Sequence, residues 1–155
     1  MALGLAGFAG VAVMLGQGPG RWSSGDALRI RFLLIAAFTA LFASLISTGS
    51  LWAGAGEGAS VQLGAGALLA GQVYWGTVVA RKIRHLEPSE RALFSRRLAV
   101  FIRVVLCSSW GAQLVALSGL ARPLAPWLFF YGLLACLAYA ALAFVRLLFI
   151  RPSPE

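Results

Sequence analysis

The chain has 155 residues, of which 60% are apolar and 12% charged, with a formal net charge of +8 and a mean hydropathy of +0.85. A soluble domain carries about twice that charged fraction. The apolar residues also fall in acid-free blocks of about 15 to 23, the length that crosses a hydrocarbon core of roughly 30 Å. This leaves no room for a folded soluble domain and predicts an all-α membrane bundle, a single transmembrane domain over residues 1–155.

Residues 2–16 form an uncharged apolar run, short for a span and without the basic leader of a signal peptide. Gly4, Gly7 and Gly10 recur every three residues. In lipid such a smooth face lets another backbone approach, because van der Waals packing replaces the missing hydrophobic drive. Gln17-Gly18-Pro19-Gly20 stops this helix. Ser23 or Ser24 can cap the next one, with Asp26 in its first turn, where a negative charge suits the helix dipole. The second span is residues 30–47, with Thr39 and Ser44 able to bond their own helix carbonyls.

Residues 49–59 hold four glycines and one acid, Glu57, and are expected to form a flexible loop with Trp52 at the interface. The third span is residues 60–80. Gly64, Ala67 and Gly71 share one face of it, Gln72 lies near the middle, and Tyr74 and Trp75 lie toward its far end.

Residues 81–97 are the one long charged segment, with six of the thirteen Lys and Arg residues, two of the five acids and the single histidine, His85. Glu87 and Pro88 suit a helix start, so the fourth helix is expected to begin about two turns before it becomes apolar. Its span, residues 98–120, contains Arg103, Cys107, Ser108, Ser109, Trp110 and Gln113. Residues 122–126 make a short turn, and residues 126–145 form the fifth span.

Orientation follows from the basic residues. With the N-terminus outside, Arg21, Arg29, Arg31, Arg81, Lys82, Arg84, Arg91, Arg96, Arg97, Arg103, Arg146 and Arg151 lie on the cytoplasmic side, twelve against Arg122 alone outside. The same rule accounts for the net positive charge better than a nucleic-acid partner does.

The spans hold no Asp or Glu, whereas ion-coupled transporters normally carry intramembrane acids. His85 lies in the loop, so no haem, metal or other cofactor is expected. Cys107 and Cys136 are expected to be reduced packing residues. With no paired carboxylates, nucleophile and base, or phosphate loop in the sequence, the chain is not expected to be an enzyme.

Two clusters remain. Gln72, Ser109 and Gln113 lie within a turn or two of the membrane centre, either as a contact for a neutral or weakly polar solute or as interhelical hydrogen bonds, and the second is favoured. Arg81, Lys82, Arg84, Arg96, Arg97 and Arg103 form a collar at the inner surface, where each basic residue attracts anionic phospholipid by about 1 kcal/mol. Gly7, Gly10, Ala67 and Gly71 are the expected helix-packing positions.

The segment Leu5-Ala6-Gly7-Phe8-Ala9-Gly10-Val11, with Trp22-Ser23 and Leu28-Arg29-Ile30-Arg31-Phe32-Leu33-Leu34, resembles a group of small multispanning bacterial proteins. Over the first 50 residues the likeness is clear, and beyond them it extends only to layout. Those proteins tend to have more residues ahead of the Leu-Ala-Gly-Phe segment, so a late start is expected here and would explain the short first span. The resemblance implies a bacterial inner-membrane location and carries no activity. The expected role is a non-catalytic accessory subunit or small helical scaffold, in a homo-oligomer or a larger membrane complex. The alternative is a small oligomeric transporter or channel for neutral or weakly polar solutes.

Reporter fusions check the orientation. A reporter after Glu155 should be active in the cytoplasm and one inserted at Gly56 active only outside, and a C-terminal reporter active outside would overturn it.

Overall fold

The computed structural model describes residues 24–84 and 96–149. Among these are four α-helices and no strand: α1 (Ser24–Trp52), α2 (Glu57–Arg84), α3 (Arg96–Ser118) and α4 (Ala125–Phe149), with a 3-10 turn at Arg122–Leu124. Residues 2–16, with Gly7 and Gly10, lie outside the described residues, as does the predicted helix start at Glu87 and Pro88.

Among the described residues, three helices are long and apolar enough to cross a membrane: Ile30–Trp52, Val100–Ser118 and Arg122–Val145. The predicted third span falls within α2, which is not one of them. At 28 residues α2 rises about 42 Å, at 1.5 Å per residue, so length is not what it lacks. Gln62, Gln72, Tyr74, Thr77 and its glycines lower its apolar character instead.

The expected eleven-residue loop is also corrected. Helix α1 continues to Trp52 and α2 begins at Glu57, leaving only residues 53–56 between them. Glycine suggests a loop where water can satisfy the backbone; in an apolar setting the helical hydrogen bonds are kept. The turn is closed by Ala53 N–H to Gly49 O at 2.9 Å and Ala55 N–H to Ser50 O at 3.0 Å, with Gly54 at φ +90°. Helix α3 ends two residues before the predicted limit, where Gly119 adopts φ +69°, the left-handed cap that glycine tolerates best.

Helix α1 packs on α2 and α4, α3 packs on α4 and α2, and α2 also touches α4. The interior is built mostly of small residues. Leu33, Ala36 and Ala37 of α1 meet Ala140 of α4 near the open end of the bundle. Toward the turns, Ala40, Ala43, Ala65, Leu68, Ala116, Phe129 and Cys136 form a second cluster. Large apolar side chains face outward: Phe42 is 59% exposed, Trp127 71% and Trp52 87%. In water that distribution would be costly, whereas hydrocarbon is as apolar as the side chains it meets. Trp52 and Trp127 both lie at the turn end, the place where aromatic side chains mark a membrane interface.

Small residues set the spacing. A β-carbon at Gly64 would lie 2.7 Å from Ser47 Cβ, and one at Gly71 would lie 2.5 Å from Thr39 Cγ2. Thr39 cannot turn away freely, because its hydroxyl donates to Ile35 O at 2.8 Å. Ala67, between the two glycines, packs against the core cluster. Gly111 differs: it is exposed, and a β-carbon there meets nothing within 4 Å.

Alanine substitutions separate these positions. Gly64→Ala and Gly71→Ala should each destabilise the bundle by about 1–3 kcal/mol, the usual range for overpacking. Gly111→Ala should be neutral or gain up to about 1 kcal/mol from helix propensity. Equal melting temperatures in detergent for all three would show that the glycines do not govern packing.

Candidate functional site

The site is the buried polar cluster between α2, α3 and α4. Gln72 on α2 and Ser109 and Gln113 on α3 are all 0% exposed. Residues 109 and 113 are one helical turn apart and so share a face, which α3 turns toward α2 and α4.

The Gln72 amide makes its contacts across helices. Its Nε2 donates to Ser109 Oγ at 3.0 Å and to Cys136 Sγ at 3.1 Å, with Gly132 O at the 3.5 Å limit. Ser109 Oγ lies 3.2 Å from Gln72 Oε1, so one hydroxyl serves both ends of the amide. Gln72 thereby links α2 to α3 and α4 together.

Gln113 does not join this group. Its Nε2 donates to Leu128 O at 3.0 Å, near the start of α4. Its side chain lies over Gly132, where a β-carbon would fall 2.8 Å from Leu68 Cδ2 and would collide with the Gln113 amide. Gln113 Oε1 is buried without a hydrogen-bond partner among the described residues, as are Trp75 Nε1 and Trp110 Nε1. The Trp75 ring packs on Tyr139 of α4, with centroids 5.0 Å apart.

Sequence reasoning missed two participants and one surface pair beside them. Cys136 accepts from Gln72 in addition to filling space. Gly132 admits the Gln113 side chain, and its spacing of four from Cys136 is the signal that could have identified this face of α4. The surface pair is Ser108 Oγ and Tyr131 OH, 2.7 Å apart on the exposed side of α3 and α4.

Chemically the cluster can hold hydrogen bonds and little else. Its amides and hydroxyl do not titrate in the ordinary range. No group of three His, Cys, Asp or Glu residues that could hold a metal occurs among the described residues.

The basic collar is seen only in part. Arg81, in the last turn of α2, and Arg103, on α3, are exposed. Lys82, Arg84, Arg96 and Arg97 fall in the end turns of the same helices, with only their backbone described, and residues 85–95 lie outside the described residues. Both helix ends therefore bring basic residues to the open end of the bundle.

A double-mutant cycle on Gln72→Leu and Ser109→Ala tests the cross-helix bond. The coupling should be close to the 0.6 kcal/mol average for interhelical hydrogen bonds in membranes. Strict additivity of the two losses in detergent unfolding would show that the bond contributes nothing.

Among known proteins, no family model, no curated protein and no solved structure matches the chain.

Proposed function

We propose that the chain is a non-catalytic integral protein of a bacterial inner membrane, serving as an accessory subunit or small helical scaffold. The observation that carries this reading is the use of Gln72: its amide is spent on Ser109 and Cys136, on two other helices. A group committed to holding three helices together is a poor binding group for a solute.

The same reading has five spans, with the N-terminus outside and the C-terminus inside. It is supported by the twelve-to-one distribution of basic residues. Helix α2 crosses in contact with α1, α3 and α4, with Gln72 turned inward. Arg81, Lys82, Arg84, Arg96, Arg97 and Arg103 then lie at the inner surface and hold anionic phospholipid for anchoring, with Arg103 snorkelling from one turn deeper. The bundle works with further copies of itself or within a larger membrane complex.

One observation favours the transporter reading. Gln113 Oε1, without a partner among the described residues, is a buried acceptor on α3, a place where a neutral polar solute could bind.

Native mass spectrometry of protein extracted in mild detergent separates these readings. A stoichiometric larger partner, with anionic lipid retained, is the expected result. An Arg96→Gln, Arg97→Gln, Arg103→Gln variant should insert normally and lose most of that lipid. A defined homo-oligomer stabilised by a neutral solute, and no partner, would instead support transport.

A further inference from the structure

Helices α1 and α2 leave an open apolar groove of about 430 Å³ on one flank. Ile35, Phe38, Phe42 and Ile46 form its α1 wall, and Ala67 and Gly71 its α2 side. Phe38 and Phe42 stack with centroids 6.1 Å apart and stand exposed along the rim. Thr39, the one hydroxyl-bearing residue that lines it, already donates to Ile35 O at 2.8 Å. From Ile35 to Ile46 the groove runs about 16 Å. That is about half of a hydrocarbon core of roughly 30 Å, the depth of one leaflet.

The mouth of the groove at the open end of the bundle is basic. Arg31 continues the stripe of Ile35, Phe38 and Phe42 one turn further along α1. Arg81 follows Ala67 and Tyr74 on α2 at spacings of seven, which return to nearly the same face. Both arginines and Tyr74 are exposed. Helix contacts set the two arginines at one depth. The α1 residues nearest the Gly71 and Gly64 positions are Thr39 and Ser47, so α1 and α2 run antiparallel in that register. Eight residues along each helix from Thr39 and Gly71, Arg31 comes level with residue 79, only about 3 Å of rise from Arg81.

We propose that this groove is a binding site for one anionic phospholipid, with an acyl chain along Phe38, Phe42, Ala67 and Gly71 and the phosphate between Arg31 and Arg81. The site rests on the reading in which the open end of the bundle attracts anionic lipid. It goes beyond that reading by adding Arg31, by giving the lipid an apolar seat, and by placing it on the α1–α2 flank.

Charge and shape together select this occupant. Two guanidinium groups at one level suit a phosphate, whose oxygens accept paired N–H donors. An acyl chain gains little by leaving its neighbours, since the surrounding tails are equally apolar. Preference for this lipid over others therefore comes from the net negative head group, and the groove fixes where its chain lies. A second copy of the protein fits less well. Copies in one membrane share an orientation, so pairing through this face would bring Arg31 and Arg81 of both to one depth, four like charges together.

The test places the full chain in phosphatidylcholine bilayers with a trace of lipid whose acyl chain carries a photoactivatable diazirine. The probe is phosphatidylglycerol in one arm and phosphatidylcholine with the same chains in the other. Cross-linked residues are located by mass spectrometry. Label on residues 35–46 and 67–71 should favour phosphatidylglycerol about thirtyfold, the combined effect of two basic residues at the surface. Arg31→Gln with Arg81→Gln should bring that ratio close to one, and Arg31→Lys with Arg81→Lys should keep most of it. Arg122→Gln, at the other end of the bundle, should leave it unchanged. Equal labelling of the groove by the two lipids in the unaltered protein would overturn the proposal, as would a preference that survives the double glutamine change. A preference confined to residues of α3 and α4 rejects the groove site and leaves the lipid-attracting open end standing. No preference anywhere rejects both. A groove without label, in a protein that runs as a homodimer, would assign the face to a second copy and overturn the site.

Discussion

Close approach of α2 to its neighbours is the condition on which the rest of the bundle depends. Gly64 and Gly71 let α1 come within contact of the α2 backbone, and Gly132 on α4 does the same for the Gln113 side chain of α3. Dispersion falls off steeply with distance, so a gap of even half an ångström forfeits a good part of each contact. Between apolar helices in an apolar solvent there is little else to hold them. The alanines that line both core clusters extend this logic along the bundle.

The polar cluster follows from the same proximity. Gln72 can reach Ser109, Gly132 and Cys136 together only because α2, α3 and α4 meet near its level. A glutamine buried without partners would lose several kcal/mol in such surroundings. Satisfied, it contributes modestly to stability and more to specificity, since a shift of α2 by a turn would break all three contacts. The orphaned Gln113 Oε1 and the two indole N–H groups show where this satisfaction stops.

Much of this was legible in the chain. Apolar runs located the described helices, and the spacing of Gly64 and Gly71 on one face of α2 is the signal for where α1 comes close. The polarity and depth of Gln72, Ser109 and Gln113 placed all three in the interior. Their pairing was not legible, because register between helices is set by Gly132 and Leu68, which carry no polar signal. The extent of α1 was underread for another reason: Gly49 and Ser50 are turn formers in water, yet they stay helical where the backbone has no other partner. Comparing α2 with the other three exposes the weakness of composition alone, since Gln72 lowers its apolar character while facing inward.

The two short turns have a consequence for how such a chain enters a bilayer. On the proposed orientation, the turn end is what must pass through the hydrocarbon. Among the described residues, its formal charges are Glu57 and Arg122, one on each hairpin and opposite in sign. A single charge moving through a 100 mV potential exchanges about 2.3 kcal/mol with the field. The work done on Glu57 is therefore cancelled by the work done on Arg122 once both hairpins are across. Insertion of the described bundle is thus electrically neutral overall, neither driven nor opposed by the membrane potential.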